Sequence, residues 1–95
     1  MDTEKSDEFY KKLKAQLEET SKWPSVYLYK FIVPSKGNGI PTIHGIFDNT
    51  GAVIESKLSK NGTYTSLSIT VDMENPDAVI AKYREVGTIK GVISL

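Results

Sequence analysis

The chain has 95 residues, with 12 lysines and arginines against 12 aspartates and glutamates, one histidine and no cysteine. This length predicts a single domain with a modest core, and the lack of cysteine excludes disulfides, thiolate metal sites and thiol catalysis. The net charge of zero argues against a partner held mainly by Coulomb attraction, such as duplex nucleic acid or an anionic membrane.

Residues 1–22 form a separate, highly charged segment with six acids and five bases. Within it Phe9, Leu13 and Leu17 recur at the spacing of one helical stripe, which predicts an N-terminal helix of about 14 residues. Trp23 and Pro24 end this helical extension, and the single domain spans 23–95. A stripe this narrow must dock on the rest of the domain or on another chain, because an isolated helix of this length is marginal in water.

Residues 25–33 are β-branched and aromatic and predict a strand. Its alternation puts Tyr29 and Phe31 on one face and Leu28 and Lys30 on the other. The glycine-rich stretch 35–39 predicts a turn, and apolar residues at helical spacing predict a helix over 40–49.

The dipeptide Asn61-Gly62 predicts a two-residue type I′ turn in a β-hairpin over 52–72. In the register that this turn implies, Ile54 lies opposite Ile69 and the apolar side chains of both strands share one face. A slip of one residue would send that apolar set into water, so the pattern supports the register.

Asn75 and Pro76 are typical of a helix start, and they predict a helix that closes at Gly87, with a last strand over 88–95. The βαββαβ order, after the N-terminal helix, predicts an α+β ferredoxin-like sandwich. In that fold a four-stranded antiparallel sheet carries two helices on one face, with 25–33 and 63–72 as inner strands. The other face is expected to stay open, or to be covered by the N-terminal helix or a second subunit.

Three segments resemble the YbeD-like family of small bacterial proteins of unknown function: Trp23-Pro24 leading into Tyr27-Leu28-Tyr29-Lys30, the hairpin 59–70, and the ending Tyr83-Arg84-Glu85-Val86-Gly87. The resemblance covers about 23–95. It implies the same ferredoxin-like sandwich, similar to the ACT-type regulatory domains that sense amino acids at dimer interfaces. It implies no catalytic motif.

An inventory of reactive side chains favours a protein that is not an enzyme. The single histidine, His44, has no acidic neighbour in sequence, as a nucleophilic triad would require. With one histidine and no cysteine, the chain offers no metal constellation, and we expect no cofactor.

The loop Ser35-Lys36-Gly37-Asn38-Gly39 is the candidate ligand site. It follows a strand and opens a helix, so free backbone N–H groups and the positive end of the helix dipole converge there, and Lys36 adds charge. The pattern matches neither a Walker loop nor a dinucleotide fingerprint, and a simple turn is the alternative interpretation.

A second candidate surface would bind protein. It comprises the N-terminal stripe with Trp23, which could pack within the monomer or bridge two chains, and the sheet face that carries Lys30 and Tyr64. RNA-recognition sheets use this topology, but one aromatic side chain and a neutral charge balance make a poor platform for stacked bases.

These patterns predict a small regulatory or binding module that senses a small anionic or amino-acid-like ligand, in an ACT-like manner. The alternative is a protein-interaction module without a ligand, acting on a protein partner or as a homodimer. No apolar run reaches the roughly 18 residues of a membrane span, and the first residues lack the order of a signal peptide, so a cytoplasmic location is expected.

Overall fold

In a computed structural model that describes the backbone of residues 3–95 and the side chains from residue 7 onward, helices and strands follow the predicted order. The elements are α1 (Thr3–Thr20), β1 (Ser25–Pro34), α2 (Gly39–Ile46), β2 (Val53–Leu58), β3 (Tyr64–Met73), α3 (Pro76–Gly87) and β4 (Ile93–Ser94). The predicted α+β ferredoxin-like class with an added N-terminal helix is confirmed. Positions 1 and 2 of the predicted extension lie outside the described residues.

The four strands form one antiparallel sheet in the order β2-β3-β1-β4. Its centre is the ten-residue pairing of β1 with β3, which runs from Ser25 opposite Met73 to Pro34 opposite Tyr64. The two strands predicted to be inner therefore occupy the inner positions.

One face of this sheet carries the hydrophobic core. Tyr29, at the centre of β1, is fully buried, stacks against Phe31 and lies with its ring centre 5.2 Å from that of Phe47. Its hydroxyl donates a hydrogen bond of 2.9 Å to the backbone oxygen of Val79 in α3, which satisfies the polar end of a buried ring. The core residues of the sheet and the two helices that cover it are Tyr29, Phe31, Val33, Ile43, Phe47, Leu67, Ile69, Val71, Met73, Val79 and Val86.

The hairpin register is confirmed, but the predicted turn type is wrong. Ile54 lies opposite Ile69 and Leu58 opposite Thr65, as the sequence predicted. A type I′ turn needs positive φ at both central residues, whereas Gly62 has φ 72° and Asn61 is not in that region. Instead Ser59 donates its N–H to the Tyr64 oxygen, and the loop 60–63 lies between them. Both loops are centred between Asn61 and Gly62, so the longer one preserves the register.

Helix boundaries differ from the predictions at two places. α1 has 18 residues rather than about 14, because its helical backbone continues toward the N-terminus as far as Thr3. α2 ends at Ile46 rather than at position 49, since Asn49 adopts φ 62° and the Thr50 hydroxyl donates to the Phe47 oxygen, which closes a turn there. The predicted cap of α3 is confirmed: the Asn75 side chain accepts from the Ala78 N–H at 2.8 Å.

The predicted last strand over 88–95 is too long, because only Ile93 and Ser94 pair with β1. The Thr88 and Ile89 N–H groups bond back to the last turn of α3. Gly91 then takes φ 81°, so residues 88–91 form a turn that delays the strand.

The N-terminal helix α1 packs beside α3 and leaves the second sheet face uncovered. Leu17 and Trp23 lie against the core, and the Trp23 Nε1–H donates to the Leu17 oxygen at 3.0 Å. Further along, Arg84 of α3 forms an ion pair with Asp7 at 2.9 Å and lies over the ring of Tyr10. The helices occupy one layer, and the opposite face of the sheet is exposed.

Two leucines on neighbouring strands provide a matched test of this one-sided burial. Leu67 is fully buried, whereas Leu28, on the opposite face of the sheet in β1, is 50 % exposed. We expect Leu67→Ala to lower the free energy of unfolding by about 3 kcal/mol and Leu28→Ala by less than about 0.5 kcal/mol, measured by urea denaturation. Equal losses at the two positions would contradict this arrangement of the core.

Candidate functional site

A surface groove of about 570 Å³ lies where β1 ends and α2 begins. It is lined by 36–39 from the loop, by 88–91 from the turn after α3, and by Pro34 and Thr42. The structure thus brings most of the predicted ligand loop against a second segment, which is distant in sequence.

Two glycines allow these segments to approach. At Gly91, which has φ 81°, a Cβ atom would lie 3.0 Å from Pro34 Cγ, so a larger residue would meet both strain and a clash. At Gly39 a Cβ atom would lie 3.4 Å from Ile89 Cγ2. The groove therefore has walls that pack closely at its base.

The electrostatics of the groove favour an anion. Its lining contains two lysines, Lys36 and Lys90, and no carboxylate. Within the described part of the chain, the N–H groups of 36–38 donate to no protein acceptor, and Asn38 starts α2 without a side-chain cap. Backbone donors at the positive end of the α2 dipole thus remain available to a ligand.

Ser35 has a structural role instead. Its N–H donates to the Thr63 oxygen at 2.9 Å, and its hydroxyl shares a hydrogen bond of 2.8 Å with the Thr65 hydroxyl. These bonds hold it toward the hairpin, and it does not line the groove. Of the five loop residues predicted as a ligand site, Lys36, Gly37, Asn38 and Gly39 are brought together.

Sequence reasoning missed the second wall, which includes Lys90. The segment was predicted to be a strand, where Lys90 would be an ordinary surface residue. The glycines at 87 and 91, four residues apart between a helix and a short apolar run, are the signal that a turn intervenes.

The residues predicted as a protein-binding surface divide between two sides of the molecule. On the helical side, Leu13 is partly exposed, Leu17 and Trp23 pack against the core, and Phe9 is 62 % exposed. Lys30 and Tyr64 lie on the open face of the sheet, and both are exposed. They do not form one continuous surface, and their binding role stays a prediction.

A cluster of three tyrosines, of which Tyr29 is buried and Tyr27 and Tyr83 are partly buried, is a titratable group that sequence reasoning did not examine. Tyr27 and Tyr83 share a hydrogen bond of 2.8 Å between hydroxyls, and Tyr29 packs edge-on against both rings. Burial raises the pKa of Tyr29 and the pKa of Tyr83 far above the usual range, so both stay neutral near pH 7. His44 is exposed on α2, away from this cluster.

Within the described residues, no group of three histidine, cysteine or acidic side chains is placed to hold a metal ion. None of the described helices is long and apolar enough to cross a membrane.

Comparison with known proteins gives one result. A family described as "Protein of unknown function (DUF493)" matches residues 18–95, which covers the whole sheet and the end of α1. No curated protein and no solved structure matches the chain.

The tyrosine cluster predicts how stability depends on pH. In the unfolded chain tyrosines ionise near pH 10, whereas the raised pKa values of Tyr29 and Tyr83 keep them neutral in the fold. The contribution of these two hydroxyls to the free energy of unfolding is therefore complete below about pH 10 and is lost as the pH rises further. Urea midpoints measured from about pH 8 to about pH 11 should fall in the wild type, and Tyr83→Phe should reduce this decline.

The matched control is Tyr64→Phe, on the exposed sheet face, which should keep the wild-type dependence on pH. If Tyr83→Phe and Tyr64→Phe behave alike, burial of the cluster is not the cause of the decline.

Proposed function

The chain belongs to the family of proteins of unknown function known as DUF493, which is the YbeD-like family that its sequence resembles, and we propose that it is a small regulatory module that binds an anionic ligand. The ligand occupies the groove between 36–39 and 88–91. The observation that carries this proposal is the convergence of Lys36, Lys90 and unpaired backbone N–H groups on a groove without a carboxylate.

The lining also indicates the kind of anion. Pro34 and Ile89 contribute apolar surface next to the two lysines, and the groove is of the size that suits a small metabolite rather than a polymer. An amino-acid-like carboxylate, or a phosphate on a small apolar body, fits this combination. Recognition would resemble that of ACT-type domains, in a cytoplasmic setting.

Binding without catalysis is the mechanism that these groups support. Lysines and backbone N–H groups hold negative charge, but a reaction would also need a general base or nucleophile beside the bound ligand. The side chains that line the groove comprise two lysines, Asn38, two threonines and apolar residues, and none of these is paired with an acid or an imidazole. We therefore propose no enzymatic step and no cofactor.

Ligand binding in the groove can affect the sheet directly, because the two share a residue. Pro34 is both a lining residue of the groove and the last residue of β1, opposite Tyr64 of β3. A ligand that draws 36–39 and 88–91 together acts on the end of the strand that forms the centre of the sheet. A partner or second subunit on the open face would sense that change.

The alternative function is protein interaction without a ligand. The observation that favours it is the exposed apolar face of the sheet, which includes Val26 and Leu28. RNA binding is less favoured, because Tyr64 is the one aromatic side chain among the described residues of that face.

Isothermal titration calorimetry tests the ligand proposal, with L-glutamate, inorganic phosphate and adenosine monophosphate as probes. We expect at least one probe to bind, and we expect Lys36→Ala and Lys90→Ala each to weaken it about fivefold or more, because each removes one charge-assisted contact. Gly91→Val should abolish binding by filling the base of the groove, while circular dichroism reports whether that variant folds.

The matched control is Lys60→Ala, which removes the same charge from the hairpin loop, outside the groove. Binding that falls equally in Lys60→Ala would reflect net charge alone. Absence of heat with all three probes, or full binding by the double variant Lys36→Ala/Lys90→Ala, would refute the proposal.

A further inference from the structure

A second groove, of about 430 Å³, lies on the open face of the sheet beside the hairpin turn. One row across the sheet lines it: Lys57 on β2, Ser66 on β3 and Ile32 on β1. Tyr64 lies two positions before Ser66, so it is on the same face of β3 and lines the groove beside this row. This hairpin groove shares no lining residue with the groove at the start of α2.

The hairpin groove combines apolar surface with positive charge. Ile32 is half-buried and Tyr64 is 45 % exposed, so both present apolar surface to a bound group. Lys57 and Lys60 are exposed, no carboxylate lines the groove, and neither lysine forms an ion pair with another described residue. The groove therefore suits a ligand that carries both negative charge and an apolar group.

The acid next to these lysines along β2 is Glu55, which does not line the groove. It lies on the open face two positions before Lys57, about 7 Å along the strand. Its own row across the sheet continues through Ser68 to Lys30 on β1. The two rows together hold two lysines and one glutamate, so this part of the face keeps a positive charge.

The connections at the hairpin end of the sheet are positively charged, although the whole chain is neutral. The three that meet where β1 and β2 end hold three lysines and no acid. They are 35–38, 59–63 and 88–92. The three at the opposite end hold Asp48 and Glu74 against Lys22 alone. Because the charges are separated in this way, the hairpin end attracts negative groups despite the net charge of zero.

We infer that the hairpin groove docks a short acidic segment of a partner protein, in which one apolar side chain is flanked by carboxylates. The apolar side chain packs on Ile32 and the Tyr64 ring, and the carboxylates pair with Lys57 and Lys60. These lysines are three positions apart, so their Cα atoms are at most about 10 Å from each other. Two carboxylates two or three positions apart in an extended segment span that distance.

The chemistry of the groove favours this occupant over an inorganic anion or a nucleic acid. An inorganic anion would leave the apolar surface of Ile32 and Tyr64 unused. Single-stranded nucleic acid stacks successive bases on several aromatic rings, and Tyr64 is the one aromatic side chain that lines this groove.

The acidic connections of a second copy do not supply such a segment. Asp48 follows Phe47 and Glu74 follows Met73, and both apolar side chains are buried in the core.

The helix α1 of a second copy is also a poor match. Its Glu8 lies beside the exposed Phe9, but Lys11 and Lys12 follow within one turn, and the lysines of the groove repel them. A segment from a different protein is therefore the better occupant.

Fluorescence anisotropy tests the inference, with a labelled peptide in which one leucine lies between two runs of three glutamates, at about 50 mM salt. We expect a Kd on the order of 100 µM, since the contact is small and exposed. The same peptide with glutamine in place of every glutamate, or with serine in place of leucine, should bind at least about fivefold more weakly.

Charge reversal in the protein gives the sharper arm of the experiment. Lys57→Glu and Lys60→Glu should each weaken binding of the acidic peptide about tenfold, because each replaces an attraction by a repulsion. Tyr64→Thr, which keeps a good strand residue, should weaken it about fivefold. Lys22→Glu makes the same charge change at the opposite end of the sheet and should alter the Kd by less than about twofold. Circular dichroism should show that all variants fold.

A further variant separates this site from the groove at the start of α2. Lys36→Ala/Lys90→Ala should leave binding of the acidic peptide within about threefold of the wild type, because neither lysine lines the hairpin groove. The inference therefore does not rest on the proposed anionic ligand, and either proposal can fail while the other stands. Peptide binding that is lost in this variant and kept in Lys57→Glu would place the peptide in the other groove and overturn the inference.

Several other results would also overturn it. They are no binding of the acidic peptide up to about 1 mM, equal binding of the glutamine peptide, or equal losses in Lys57→Glu and Lys22→Glu. A single-stranded RNA that binds more tightly and displaces the peptide would assign the groove to nucleic acid. Self-association in sedimentation velocity that is lost in both Lys57→Glu and Phe9→Ser would assign it to α1 of a second copy.

Discussion

The fold depends on the burial of one face of the β1–β3 pair. The buried residues of β1 are Tyr29, Phe31 and Val33, and they alternate along the strand with more exposed residues that point to the opposite face. On β3, Leu67 and Ile69 alternate with more exposed residues in the same way. Because these two strands pair over ten residues, their apolar sides form one continuous surface that α2 and α3 must cover. The packing of α2 and α3 on this surface positions the groove at one end of β1 and leaves the opposite face of the sheet uncovered.

The same alternation explains how far the sequence could predict the structure. Hairpin register could be derived because burial allows only one pairing of Ile54 with Ile69, and a change of turn type centred on the same point leaves that pairing intact. The turn itself could not be derived. Asn61-Gly62 is compatible with both loops, and the bond from Ser59 to Tyr64 that decides between them involves two unremarkable polar residues.

For a related reason, the sequence predicted one of the two walls of the candidate site and not the other. A glycine-rich segment between a strand and a helix is visible locally, so Lys36 and Gly39 were identified from the sequence. The wall opposite them depends on the approach of Gly91 to Pro34 and of Ile89 to Gly39, pairs that lie 50 or more positions apart in the chain. Contacts between positions so far apart leave no local pattern in the sequence. Without knowledge of them, the segment that contains Lys90 is predicted to be the start of a strand.

Groove and open face are linked mechanically because they meet at the same strand. Pro34 lines the groove, and Ile32, two residues earlier, points to the open face opposite Ile93 of β4. The turn 88–91 leads directly into β4, so any ligand that orders this turn also fixes the edge strand that contributes Ile93 to the open face. β4 pairs with β1 through only two residues, which makes it the least restrained strand of the sheet. A bound anion in the groove would therefore restrain β4 and the part of the open face that carries Ile93, and any partner bound to that face would in turn stabilise the groove, as linkage requires.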